Sequence, residues 1–149
     1  MSLVAKEILH AAEIRQNYGI ELIKLSQSQR NLIESGQYSQ LIETLQHKQC
    51  ILDRLHDSTS PNNQRLKEWP RVRQTLSPND RSLVESKLSE VEQLFSELAQ
   101  EETHCQELLM AQRDQTAIQL KKLSQNSNVR AAYQAMVSSE PASRIDIVK

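Results

Sequence analysis

The chain has 149 residues, enough for one domain, with 38% apolar and 25% charged residues and a formal charge of −1. Aromatics make up only 3%, glycines number two and prolines four. This is the profile of long exposed helices rather than a sheet, and without a basic stripe it excludes a nucleic-acid binder.

The opening, "MSLVAKEILHAAEIRQ", interrupts its apolar run with Lys6 and Glu7, so no signal peptide is expected there. No run approaches the ~20 apolar residues of a membrane span. Two cysteines without export signals point to reduced thiols in a cytosol.

In the first segment Val4, Ile8, Ala11, Tyr18, Leu22, Leu25 and Leu32 recur at alternating steps of four and three, skipping Arg15 and Gln29. That heptad-like stripe predicts an amphipathic helix over about 2–35. Gly19 lies inside it at a cost of about 1 kcal/mol relative to Ala, and its lack of a side chain suits the close approach of a neighbour. Gly36 either caps this helix or weakens a continuous one. A second helix is expected over about 38–56, with Leu41, Ile42, Leu45, Leu52 and Leu55 on its apolar side. Glu43, Lys48, Asp53 and Arg54 are assigned to its solvated side.

Residues 57–77 are expected to form a loop, because "DSTSPNNQ" is dense in turn formers and Pro70 forbids one continuous helix. One short turn is expected around Leu66–Trp69, with Trp69 covering an end of the bundle. "SPND" then opens a third helix over about 78–124, with Ser77 as N-cap, Pro78 at the first position and Asp80 facing the helix dipole. Val84, Leu88, Val91, Phe95, Leu98, Cys105 and Leu109 form its stripe.

These lengths predict an all-α fold: an elongated antiparallel helical hairpin or bundle with long coiled-coil-like helices and a short C-terminal helix. The third helix is expected to run back along the first two, with Leu88, Val91, Phe95 and Leu98 against Leu41–Leu55. Polar residues interrupt the stripes at Arg15, Gln29 and Lys48 and at Glu102, Gln112 and Gln119, consistent with solvated seams or with register control. Residues 125–149 are expected to form a hinge, within "SQNSN", a short helix and a tail; the helix is either mobile on that hinge or folded back to close the bundle end. Val129, Ala132, Tyr133, Met136 and Val137 form the apolar face of that helix, too short to be stable alone.

Motifs for catalysis are lacking: there is no phosphate-binding loop, no GxSxG and no HExxH. Glu101 and Glu102 read as a solvated face. His47 and Cys50, together with His104 and Cys105, are the best metal candidate, but they are expected at different levels of the bundle. No cofactor, no metal and no enzymatic activity are therefore expected.

The break followed by "LIETLQHKQCILDRL", in which an apolar stripe surrounds Lys48 and Gln49, and the "RAAY" that follows a very long helix, resemble the FlgN-like flagellar export chaperones. The resemblance implies a cytosolic helical protein that binds flagellar hook-associated (hook–filament junction) proteins and presents them to the flagellar type III export apparatus. It gives the Val129–Val137 face a use as contact for a helical terminal segment of cargo, held in a groove, with the export gate as a further partner. A structural coiled-coil adaptor or constitutive homo-oligomer would use the same heptads for self-association.

Overall fold

The computed structural model describes residues 1–125, 131, 132, 134 and 135. The described residues form helices and no strand: α1 (Leu3–Ser35), α2 (Tyr38–His56), α3 (Pro61–Lys67), α4 (Trp69–Val72), a 3-10 turn (Arg73–Thr75) and α5 (Pro78–Gln125). The chain divides into two compact units, Met1–Leu108 and Leu109–Lys149.

Local chemistry sets the helix ends of the first unit. The Ser2 hydroxyl caps α1 by accepting from the Ala5 N–H at 3.2 Å. At the other end Gly36 adopts a left-handed conformation, φ 71°. The Gly36 N–H donates to Ile33 O at 3.2 Å and the Gln37 N–H to Leu32 O at 3.0 Å, the paired bonds of a Schellman cap. Gly36 therefore ends α1 and lets the chain reverse. Ser77 caps α5 as its sequence predicts, accepting from the Asp80 N–H at 3.3 Å.

The all-α bundle follows from this reversal. α2 returns antiparallel along α1, placing Lys48 beside Gln29 and Ile51 beside Leu22. α5 is antiparallel to α2, with Leu98 beside Ile51 and Glu102 beside Lys48. Against α1 it is parallel: Val84 packs with Ala5 and Ile8, Leu98 with Leu22, and Glu102 reaches Ser26. In place of two helices in line with a third running back along both, the first unit is thus an up-down-up bundle. The reason is the Gly36 cap, which turns the chain instead of bending it.

The connection 57–77 also departs from a loop with one turn. Pro61 sits in the first turn of α3 and Pro70 in that of α4, where a missing N–H costs nothing. Asn63 donates from its amide to Leu55 O at 2.9 Å and to Asp57 O at 2.7 Å, tying α3 to the end of α2. Two apolar clusters fill the unit. Ala5, Ile8, Val72, Leu76 and Val84 form the first, with Trp69 and Leu88 packed on it. Leu22, Ile51, Leu55 and Leu98 form the second, with Phe95 against it. Leu88 thus belongs to the first cluster, while Phe95 and Leu98 meet α2.

The buried side of α1 runs through Ala5, Ile8, Ala12, Gly19, Leu22, Ser26, Gln29 and Ile33. Of the expected stripe Ile8, Ala11 and Leu22 are buried, Tyr18 and Leu25 are half-buried against the second cluster, and Val4 is exposed; the small residues Ala12, Gly19 and Ser26 complete the buried side. A Cβ on Gly19 would stand 2.8 Å from Leu94 Cδ2 and 3.2 Å from Phe95 Cε2, so the missing side chain admits α5 there.

Candidate partner-binding surfaces

Two features of the first unit carry chemistry. The first is a polar layer across all three long helices. Lys48, expected on the solvated side of α2, is 5% exposed, and Gln29 of α1 is 4% exposed. The Lys48 ammonium donates to Gln29 Oε1 at 2.7 Å and to Glu102 Oε1 of α5. The same Glu102 oxygen accepts from the Ser26 hydroxyl at 2.6 Å. Glu101, also assigned to a solvated face, is half-buried, and its Oε1 lies 3.5 Å from Arg30 Nη1. Heptad spacing accounts for the burial of Lys48 and Gln29: Lys48 is seven residues from Leu41 and Gln29 seven from Leu22, so each occupies a seam position.

Cys105 is fully buried in this layer, its thiol 3.5 Å from Ser26 O. Burial pushes its pKa up, and Glu101 and Glu102 push the same way, while Lys48 and Arg30 oppose them. Cys50 is exposed, and His47 lies 3.4 Å from Glu21. Lys48 stands level with Glu102, so these α2 residues face the middle of α5 rather than its first third, because α5 begins alongside α1 and α4 before it meets α2. Among the described residues no three His, Cys, Asp or Glu side chains gather around one point.

The second feature is an open groove of about 510 Å³. Its apolar surface comes from Leu55, Leu66, Trp69, Leu88, Val91 and Phe95. Charged residues of the groove are Arg15, Lys67 and Glu92, with His56 beside them. Arg15 occupies a seam position of α1, yet its guanidinium carbon lies 4.7 Å from the Phe95 ring centroid, in cation–π contact. Desolvation lowers its pKa from the usual arginine value. No described carboxylate pairs with Arg15 or Lys67. Sequence periodicity marks Arg15 as an interruption of the stripe but carries no sign that Trp69 and Phe95 converge on it.

In the second unit, Leu109, Thr116, Leu120 and Leu123 fall within an arc of about 60° on α5. Leu120 is 62% and Leu123 53% exposed. Of the expected contact face, Ala132 is helical and exposed, while Val129, Tyr133, Met136 and Val137 lie outside the described residues. No helix among the described residues is long and apolar enough to cross a membrane.

No family model, curated protein or solved structure matches the chain.

Proposed function

We propose that the protein is a cytosolic, non-enzymatic export chaperone of the FlgN-like kind. In this reading it binds the helical terminal segment of flagellar hook-associated proteins and delivers them to the flagellar type III export apparatus. The observation that carries the reading is the apolar row at the end of α5, where Leu120 and Leu123 are largely exposed on one arc. Exposed apolar rows on a helix mark sites that bury against another helix. The expected Val129–Val137 face would extend the contact surface, and the resemblance carried by "LIETLQHKQCILDRL" and "RAAY" supplies the class of cargo.

The test is calorimetric titration of the full chain with purified terminal segments of hook–filament junction proteins. Saturable binding with a gain in helical circular dichroism is expected. Absence of binding to all such segments, with the chain folded, retires the proposal. The same exposed leucines also favour a second reading, a constitutive homo-oligomer, for which sedimentation would show a concentration-independent dimer or larger species and no uptake of cargo.

A further inference from the structure

We infer that the groove between Trp69 and Phe95 is a second docking site, and that its occupant is a short amphipathic peptide helix with a carboxylate beside its apolar face. The inference concerns the first unit alone and stands apart from the export-chaperone reading, which rests on α5 beyond Leu108.

The argument begins with Arg15. It is half-buried, yet none of its hydrogen-bond donors has an acceptor among the described residues; its partner is the face of Phe95. A guanidinium presents five donors in a planar fork that matches a carboxylate, and a partly desolvated cation gains more from such a partner than a fully hydrated one. Lys67, also without a paired carboxylate, lies in the same groove. Glu92 is the single acidic residue there, so the groove carries an excess of positive charge around an apolar floor.

The floor supplies the other half of the recognition. Trp69, Leu88 and Phe95 are each only half-buried, so large apolar area is left for a partner. The groove is open rather than enclosed, which suits side chains entering from a helix laid across it. An apolar face would cover Leu88 and Trp69 while a Glu or Asp on its edge meets Arg15. A basic or uncharged helix would cover the same area but leave Arg15 unpaired.

Trp69 is the only tryptophan in the chain, so its emission reports occupancy directly. The experiment titrates the full chain with a synthetic amphipathic helix carrying Leu and Phe on one face and Glu on its edge. A second peptide replaces each Glu by Gln. Saturable binding that shifts the Trp69 emission is expected, with the Gln peptide about tenfold weaker. Arg15→Gln should reduce the affinity for the Glu peptide to that for the Gln peptide and leave the latter unchanged. Because Arg15 touches the core, Lys67→Gln and Glu92→Gln provide exposed controls: the first should weaken the Glu peptide severalfold and the second strengthen it. The inference is overturned by equal affinity for the two peptides, by binding that leaves Trp69 emission unmoved, or by no binding. It is overturned equally if decanoate occupies the groove in preference to the Glu peptide, or if a concentration-dependent dimer shields Trp69, since the occupant is then a lipid acid or a second copy.

Discussion

Lys48 of α2 forms an ion pair with Glu102 of α5 inside the bundle, and the two are unequally buried: the Lys48 side chain is 6% exposed and that of Glu102 36%. The asymmetry decides what each removal does. Glu102→Ala leaves a buried ammonium with Gln29 as its one partner, whereas Lys48→Met leaves a carboxylate that keeps Ser26 and reaches water. Urea unfolding should show a loss of about 2 kcal/mol for Glu102→Ala, below the full cost of a stranded interior charge because Glu102 is partly solvated. Lys48→Met should cost less than about 1 kcal/mol, and the double variant Lys48→Met, Glu102→Ala should recover most of the loss. Equal losses for the two single variants would show that the burial asymmetry does not govern the pair.

Cys105 and Cys50 should react very differently. Cys50 is exposed, while Cys105 is buried with its thiol pKa raised. Iodoacetamide should modify Cys50 in the native protein and spare Cys105 until urea unfolds the chain, as read by mass spectrometry. The raised pKa also has a sign in stability. A thiol whose folded pKa exceeds its unfolded value contributes stability that is complete below the unfolded pKa, about 8.5, and is lost as pH rises through the folded value. Unfolding midpoints should therefore fall as pH climbs above the ordinary thiol range, and the fall should shrink in Cys105→Ala.

The two glycines are needed for different reasons, Gly36 for its backbone conformation and Gly19 for the space beside it. At Gly36 an added Cβ meets nothing within 4 Å, but φ is 71°. Gly36→Ala should cost about 1 kcal/mol through left-handed strain alone. At Gly19 the backbone is helical and Ala gains about 1 kcal/mol of propensity, offset by displacing the Leu94 and Phe95 tips. Gly19→Ala should therefore cost less than Gly36→Ala, while Gly19→Leu should cost about 1–3 kcal/mol through overpacking. Chemical denaturation of the three variants checks the order.

The long helices and the α5 stripe are legible because Val84, Val91, Leu98 and Cys105 repeat every seven residues and all four are buried. The α1 seam is less so. Ala12, Gly19 and Ser26 share one heptad position, and none of them reads as apolar enough to outvote Val4, Tyr18 and Leu25, although small size is what that position needs. The interruptions at Gln29, Lys48 and Glu102 are visible in the sequence, but that the three meet in one layer depends on the direction of each helix, which Gly36 sets through two backbone hydrogen bonds. The groove depends on the same topology: Arg15, Trp69 and Phe95 lie far apart in the chain and converge only because α5 runs parallel to α1.

The α5 leucines separate the two functional readings. Leu120 and Leu123 are exposed, so replacing both by Gln removes little buried area and should leave the melting temperature within about 2 °C of the parent. If the row receives a cargo helix, Leu120→Gln, Leu123→Gln should weaken binding of a junction-protein segment by about 1–3 kcal/mol, the cost of losing one or two anchoring side chains. Sedimentation of the unliganded protein should then be unchanged by the substitutions. If the row instead joins copies of the chain, the same variant should shift sedimentation toward the monomer, and the parent should show no affinity for the segment to lose. Full cargo affinity in the double variant would place the contact elsewhere, and the exposed leucines of α5 would no longer support an export-chaperone role.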